Sequence, residues 1–360
     1  MSWSVSVPSS SRQAVLAGWG AYAPPRVVTN ADIERELDTT DAWITTRTGI
    51  RERRWADDST STGDLAVRAG RAALECAGVV DVDQVIVATT TPDHPCPATA
   101  PWVANELGLG GVPAHDVNAV CSGFLYALSG ARDAILAGSA DRVLVIGADR
   151  FTTLVDPTDR ATRVLFGDGA GAAVLHVGGG TRGVVGDITL GSDGSNKDHI
   201  VVRAGGARLP LTGQTATADR YFAMAGQEVF HAAVTRMVEA ARRALEAARW
   251  TTDDATWLVA HQANRRILSA VGRALNLPED RVLLDVEHFG NTSAASIPMA
   301  ISHNAHRFRA GDHLVLAAFG GGTTWGATTL TWPDVPGRLT HHITPRVEGV
   351  SDVLPQQQRS

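Results

Sequence analysis

The sequence predicts an α/β fold of layered sheets built from two copies of one unit, and three observations carry that expectation. Short apolar runs rich in β-branched residues, VIVA (85–88), VLVIGA (143–148) and LVLAAF (314–319), are continuous rather than alternating, as strands covered on both faces require. Segments rich in Ala, Leu and Arg lie between them, such as GQEVFHAAVTRMVEAARRALEAA (226–248), and strand–helix alternation of this kind gives an α/β architecture. Third, the chain repeats at a near-constant offset. QVIVATTT (84–91) matches TWLVAHQA (256–263), and ADRVLVIGA (140–148) matches GDHLVLAAF (311–319). Ala88 lies 172 positions before Ala260, Asp141 lies 171 before Asp312, and the same step from Cys121 ends one residue past Asn291.

The elements follow in order. Residues 1–13 (MSWSVSVPSSSRQ) are rich in Ser and read as a tail. Residues 14–182 form the first half, residues 183–332 the second, and 333–360 a surface arm carrying Pro, Gln and charge without periodicity. In such folds chemistry gathers at strand ends and the loops that follow them.

Composition narrows the classes. A formal net charge of −6 argues against a general nucleic-acid binder. No apolar stretch reaches bilayer-spanning length, and the N-terminus lacks a basic start followed by an apolar run. Three cysteines, Cys76, Cys96 and Cys121, cannot all pair within one chain, so the expected compartment is the cytoplasm with free thiols. The cysteines are isolated from one another and show no metal-ligand spacing, so no metal site is expected.

The repeat brings three junctions together. DVNAVCSGF (116–124) sets Cys121 before a small-residue helical run. At a helix N-terminus the free N–H groups and the macrodipole favour an anion, so a thiol there is expected to lose its proton readily. Ser122 and Gly123 leave room for a carbonyl, whose oxygen the Cys121 N–H can meet. His261 follows an apolar strand in VAHQANRR, with Gln262 and Asn264 behind it, and Asn291 stands in GNTSAAS. Each has an ordinary alternative: a buried structural cysteine, a satisfied core histidine, an asparagine helix cap. Their placement at matched strand ends favours a shared site.

NAVCSGF, FGDGAGAAVL (166–175), VAHQAN (259–264), GNTSAASIP (290–298) and AFGGGTTWG (318–326) occur in order over roughly residues 14–332. Together with DAWITTRTGIRERR (41–54) they resemble the ketoacyl-(acyl carrier protein) synthase III enzymes of the thiolase superfamily. The resemblance implies a homodimer of five-layered αβαβα protomers, each of two pseudo-twofold-related halves. It implies a Claisen condensation with loss of carbon dioxide: Cys121 takes an acyl group from acyl-CoA, His261 and Asn291 stabilise the enolate of malonyl-carrier protein, and the N–H groups of Cys121 and Gly321 hold the tetrahedral oxygen. No metal or redox cofactor enters that scheme; the substrates are CoA thioesters and phosphopantetheine-bound acyl groups. FGGGTTWG carries no second cysteine, unlike thiolases, and Asn291 stands where elongating synthases have a second histidine. A Cys–His–Asn set also occurs in chalcone-synthase-like enzymes, although HQAN and GNTSAAS fit the carrier-protein branch better.

By the same resemblance Trp43 and Arg160 sandwich the adenine of CoA, Arg47 helps bind the nucleotide, and Gly226, Phe230, Ala263 and Asn264 line the tunnel. Core burial of Trp43 and a solvated charged face at Arg47 are the ordinary alternatives. An acidic carrier protein is expected to dock on Arg265, Arg266 and Arg273, with Arg236, Arg242 and Arg243 nearby. The family often has lysine at the position of His231, which weakens that patch. Well-studied bacterial members carry a bulky aromatic near Cys96, in the loop that closes the neighbouring subunit's acyl pocket. The smaller Cys96 implies room for a primer larger or more branched than acetyl. Two other readings stay open: an acyltransferase serving an oxygen or nitrogen acceptor on the same scaffold, and a catalytically inactive partner subunit.

Overall fold

The computed structural model describes residues 12–334. The tails expected at 1–13 and 333–360 lie outside the described residues, apart from Arg12, Gln13, Pro333 and Asp334. Gln13 opens the first strand rather than closing a tail.

Nine strands make two large sheets: β1 (Gln13–Tyr22), β2 (Gln84–Ala88), β3 (Ala114–Val117), β4 (Arg142–Asp149), β5 (Gly169–Gly178), β6 (Thr189–Ser192), β7 (Trp257–Ala260), β8 (His313–Gly320) and β9 (Thr324–Thr331). The first sheet has the order β1-β5-β4-β2-β3 and the second β7-β8-β9-β6. Read from the other edge, the second sheet runs β6-β9-β8-β7, and Val282 adds a single parallel bridge to Leu258 beyond β7. The pairing senses also match. β4 pairs antiparallel with β5 and parallel with β2; β8 pairs antiparallel with β9 and parallel with β7. The repeat read from the sequence is therefore a repeat of sheet topology, with the fifth strand of the second copy reduced to one bridge.

Six helices matter to the site: α1 (Asp41–Thr48), α2 (Thr62–Ala77), α3 (Gly123–Ala137), α4 (Gly226–Ala248), α5 (Arg265–Ala274) and α6 (Ser296–Asn304). α2 covers the outer face of the first sheet, and α4, with α5 beside it, covers the outer face of the second. α3 and α6 touch strands of both sheets and form the middle layer. The result is the five-layered thiolase-like fold, and β2, β4 and β8 are near-continuous apolar runs because both faces are covered. The middle layer supplies the central core, in which Phe124, Leu125 and Leu128 of α3 meet Ile297 and Ile301 of α6 and Leu314 and Leu316 of β8.

Close approach between the halves depends on glycines, Gly147 among them. A Cβ at Gly147 in β4 would lie 2.3 Å from the Ala294 carbonyl oxygen, so the turn before α6 rests directly on the first sheet. That contact sets the depth of residues 291–296 beneath the site. Among the described residues no helix is long and apolar enough to cross a membrane.

Candidate active site

Cys121 lies in a short 3-10 turn, Val120–Ser122, that leads into α3. The turn needs Val120 at φ +48, an unfavourable conformation for a β-branched residue. Ser122 and Thr324 hold it there. The Ser122 hydroxyl lies 2.8 Å from the Ala119 carbonyl and 2.7 Å from the Thr324 hydroxyl, which itself reaches Ala119 at 3.0 Å. These bonds clamp the nucleophile turn to the glycine turn after β8. Gly320 has no room for a side chain, since a Cβ there would lie 2.8 Å from the Cys121 nitrogen. Among the described residues the Cys121 N–H is paired with no main-chain carbonyl, which leaves it available to a substrate oxygen. Gly321 follows in the same turn, with its carbonyl accepting from Thr324.

His261 follows β7 and is buried; its N–H donates to the Ala317 carbonyl at 2.8 Å. Its Nδ1 lies 2.7 Å from the Ser296 hydroxyl oxygen, which also accepts from the Gln262 N–H at 3.3 Å. Gln262 is buried behind it and fully paired: Nε2 donates to the Ala260 and Leu283 carbonyls, and Oε1 accepts from the Asp285 and Val286 N–H groups.

Asn291 is held by main-chain bonds to the FGDG loop, donating to the Leu165 carbonyl at 2.8 Å and accepting from the Gly167 N–H at 3.0 Å. Its Oδ1 accepts from the Ser293 N–H at 2.9 Å. The carboxamide oxygen is thereby occupied, and Nδ2 is left as a donor.

A cavity of about 540 Å³ has Cys121, His261 and Asn291 on its lining. Its walls are mostly apolar, with Phe166, Phe222, Met224, Met237 and Phe319 among them. Gly226, Phe230, Ala263, Asn264 and Arg266, all singled out from the sequence, line it too.

The electrostatics depart from the sequence-based expectation of an acidic thiol. Burial pushes the Cys121 thiol up to about 12, and the Asp149 carboxylate nearby pushes the same way, while the Ser293 hydroxyl pulls back. Cys121 does stand at the head of a fifteen-residue helix, whose dipole acts against that burial. The signals for that depth lie in residues far apart in sequence. Burial also lowers His261 to about 3, so its imidazole is neutral.

Nearer the exterior, the Trp43 indole in α1 carries two guanidiniums. Arg47 lies 4.5 Å and Arg160 5.0 Å from its ring. Both arginines are exposed, whereas Trp43 is half-buried. Asn264 links this platform to the cavity: its Nδ2 donates to the Arg47 carbonyl at 3.1 Å, and its Oδ1 caps α5 by accepting from the Arg266 N–H.

Arg265, Arg266 and Arg273 are all exposed on α5, with Arg265 paired to Glu279 at 3.5 Å. On α4, Arg242 reaches the Ala274 carbonyl, whereas Arg236 is drawn to Glu239 and the Trp325 ring. Arg236 is thus less free than its neighbours Arg242 and Arg243. His231 lines the cavity from an exposed position. Cys96 is exposed and does not line this cavity. Among the described residues no group of three His, Cys, Asp or Glu side chains is placed to hold a metal ion.

Sequence reasoning passed over Asp149, Ser293 and Ser296. Asp149 ends β4 and is fully buried. The two serines lie within GNTSAAS, beside the asparagine that drew attention. A polar residue closing an otherwise apolar strand was the available signal for Asp149.

Comparison with known proteins gives the family and the fold. Residues 115–194 match the family model described as 3-oxoacyl-[acyl-carrier-protein (ACP)] synthase III, and residues 245–332 match that of its C-terminal part. The chain is 52% identical over 331 residues to beta-ketoacyl-[acyl-carrier-protein] synthase III 3 of Streptomyces coelicolor, covering 90% of this chain and 99% of that protein. It is 47% identical over 327 residues to the beta-ketoacyl-[acyl-carrier-protein] synthase III of Pseudomonas aeruginosa, covering 90% and 98%. The crystal structure of the Pseudomonas aeruginosa synthase superposes with a TM-score of 0.84 at 46% identity, covering 90% of this chain and all of that one. The priming beta-ketosynthase of the R1128 polyketide biosynthetic pathway superposes with a TM-score of 0.85 at 35% identity, covering 93% and 100%.

Proposed function

Because the chain belongs to the beta-ketoacyl-(acyl carrier protein) synthase III family, we propose that Cys121, His261 and Asn291 carry out its reaction on acyl-CoA and malonyl-carrier protein. The enzyme is a condensing acyltransferase that starts fatty acid or polyketide chains. One observation supports the residue roles above the others: the three side chains share the lining of one largely apolar cavity, although they lie on three separate segments.

The first step is acyl transfer. The Cys121 sulfur attacks the thioester carbonyl of the primer, the tetrahedral oxygen sits against the Cys121 and Gly321 N–H groups, and CoA leaves as its thiolate. Malonyl-carrier protein then places its thioester oxygen at His261 and Asn291. A neutral imidazole donating through Nε2 and a carboxamide donating through Nδ2 stabilise the enolate as carbon dioxide departs. The carbanion attacks the acyl-Cys121 carbonyl, and collapse of the tetrahedral adduct frees the sulfur. The thioester substrates and Cys121 supply every reacting group in this scheme, so it calls for no resident cofactor.

Trp43, Arg47 and Arg160 fit the adenine nucleotide of CoA, since an indole with a guanidinium on its face offers stacking and cation–π attraction to a base. Asn264 then stands where the pantetheine arm passes from that platform into the cavity. Arg265, Arg266 and Arg273 suit an acidic carrier protein. We place the enzyme in the cytoplasm as a homodimer; three free thiols suit a reducing compartment, and the exposed Cys96 loop suits contact with a second subunit. Cys96 in that loop further argues for a primer bulkier than acetyl.

Intact mass after exposure to a mixed acyl-CoA pool tests the assignment. The expected adduct is a single acyl group on Cys121, followed by release of carbon dioxide on adding malonyl-carrier protein. Acylation elsewhere, or acyl transfer to an oxygen or nitrogen acceptor without carbon dioxide release, would overturn it. Strict preference for acetyl-CoA across a primer panel would sink the pocket assignment at Cys96.

A further inference from the structure

The short strand Glu52–Arg54 belongs to neither large sheet, and the mechanism above uses nothing in it. It pairs antiparallel with Val27–Thr29 and runs behind Asn291. On one side the Arg51 N–H donates to the Glu287 carbonyl at 2.9 Å; on the other the Arg54 carbonyl accepts from the Asp168 N–H at 2.8 Å. Arg53, in the middle of the strand, is fully buried. Two glycines make room for its stem. A Cβ at Gly290 would lie 3.2 Å from the Arg53 Cβ, and one at Gly167 would lie 3.3 Å from it. These glycines bracket Asn291: Gly290 precedes it in the chain, and the Gly167 N–H donates to its carbonyl.

The Arg53 guanidinium is spent on neutral oxygens. Nη2 donates to the Val164 carbonyl at 2.6 Å, and Nη1 donates to Asn30 Oδ1 at 2.8 Å and to the Val28 carbonyl at 3.2 Å, while Nε has no partner. Burial pulls the group down to about 10, so it stays charged at neutral pH. A buried cation is costly, and an apolar side chain of similar volume is often no less stable in its place. Stability alone therefore gives little reason for an arginine here. Its two main acceptors lead toward opposite ends of the tunnel. Val164 caps the short helix Arg160–Arg163, whose first residue faces the Trp43 ring at 5.0 Å, and Leu165 just beyond it accepts the Asn291 N–H at 2.8 Å. Asn30 is buried as well, and its Nδ2 donates to Asp41 Oδ1 at 2.7 Å, to the Ile50 carbonyl at 2.8 Å and to the Thr45 hydroxyl at 3.3 Å. Asp41 and Thr45 belong to α1, the helix that carries Trp43 and Arg47.

We propose that Arg53 is a positioning residue that holds the enolate donor Asn291 and the nucleotide platform in one register. It acts through Val164 on the segment that brackets Asn291 and on Arg160, and through Asn30 on α1. A planar guanidinium fixes the directions of two acceptors at once, which a flexible ammonium does not. The separation between the platform and the cavity floor is then set by the protein, so the thioester of an arm held at its nucleotide end arrives in a fixed place.

The inference rests on the roles proposed for Asn291 and Trp43, and its test separates it from them. Arg53→Met keeps the bulk of the side chain and removes the fork. The kcat for decarboxylation of malonyl-pantetheine is expected to fall about tenfold or more, the effect of losing one charge-assisted hydrogen bond, with KM near wild type. The KM for acyl-CoA is expected to rise several-fold. Acylation of Cys121 by acyl-pantetheine, followed by intact mass, should stay near the wild-type rate, because the nucleophile and glycine turns lie outside this network. An unchanged decarboxylation kcat overturns the proposal, and so does a loss of acylation equal to the loss of decarboxylation, which marks a protein loosened throughout. Asn291→Ala and Trp43→Ala are measured alongside. If either lacks its own defect, the reading of the site fails; if both show theirs and Arg53→Met shows none, Arg53 alone is misassigned. Asn30→Ala should raise the KM for acyl-CoA by itself, and adding Arg53→Met should raise it no further than the larger single effect. Additive losses overturn the shared link. If Arg53→Met does not fold, Asn30→Ala decides, and a wild-type KM for acyl-CoA in that variant overturns the proposal.

Discussion

The Nδ1 of His261 lies 2.7 Å from the Ser296 hydroxyl, and that hydroxyl already accepts from the Gln262 N–H. Among the described residues Nδ1 is the one acceptor within reach of that hydroxyl, so the Ser296 proton is directed at Nδ1. The ring proton of a neutral imidazole then sits on Nε2, the nitrogen left to serve the cavity. Residues within one repeat unit thus set the tautomer that a carbonyl oxygen in the site requires. The second half supplies both the donor and the group that orients it.

Replacing Ser296 with Ala removes that control while leaving the cavity wall in place. Loss of one neutral hydrogen bond of about 1 kcal/mol corresponds to a fall of roughly fivefold in malonyl decarboxylation. The expected change is in kcat with KM for the malonyl thioester unaltered, measured by carbon dioxide release. An unchanged kcat would mean that Ser296 does not set the ring's proton.

On the proposed roles, His261→Ala and Asn291→Ala each remove one donor to the developing enolate oxygen. Each loss is expected to cost about 2.7–4 kcal/mol, or 10²- to 10³-fold in decarboxylation. Acylation of Cys121 should persist in both, because its donors come from the nucleophile and glycine turns. Cys121→Ala has the converse phenotype: no acyl-enzyme by mass, with some decarboxylation retained.

The strands at VIVA, VLVIGA and LVLAAF, the helix at 226–248 and the convergence of Cys121, His261 and Asn291 on one cavity were legible because each leaves a local mark. Continuous apolar runs located the strands, and matched offsets located the junctions. The proton chemistry was not legible, since it depends on depth. Nothing near Cys121 in sequence indicates that a carboxylate from the end of β4 and a serine from the turn before α6 lie beneath it. Ser293 and Ser296 read as small residues of a helix start, and only the fold separates one facing the sulfur from one facing the imidazole. Arg236 is a surface cation by pattern, yet Trp325 and Glu239 engage it.

His261 also governs a pH response. Burial lowers it from 6.5 to about 3, so between those values the unfolded chain binds a proton that the native protein does not. Stability contributed by the neutral buried ring is intact above about 6.5 and is lost progressively as pH falls toward 3. Acid unfolding followed by circular dichroism should therefore show a shallower dependence in His261→Gln. Decarboxylation by Cys121→Ala, which isolates the enolate step, should be flat from pH 5 to 8 as far as this ring is concerned. A decarboxylation limb near pH 6.5 that vanishes in His261→Gln would contradict a neutral resting imidazole.

The Trp43 platform predicts a binding defect with a specific substrate signature. Stacking of a base on an aromatic ring contributes about 1–3 kcal/mol, so Trp43→Ala is expected to raise the KM for acyl-CoA by roughly 5- to 150-fold. An acyl-pantetheine primer, which lacks the nucleotide, should be used equally well by both proteins. If both primers suffer alike, the substitution has disturbed α1 rather than base recognition.

The exposed arginines of α5 make a prediction that separates the carrier from CoA. Arg265, Arg266 and Arg273 project from one short helix next to the cavity mouth, and Arg266 also lines the cavity. A carrier protein binding there gains attraction that salt screens within about 10 Å at 0.1 M ionic strength. Arg265→Ala with Arg273→Ala should raise the KM for malonyl-carrier protein several-fold at low salt while leaving malonyl-CoA decarboxylation unchanged, because neither side chain lines the cavity. The difference between variant and wild type should shrink as salt is raised, since screening removes from the wild type what the substitutions removed from the variant. Arg265 already shares its charge with Glu279, so Arg273→Ala alone is expected to account for more of the effect than Arg265→Ala alone. Equal losses with carrier-bound and CoA-bound malonate would instead place these residues in the tunnel's own substrate contacts.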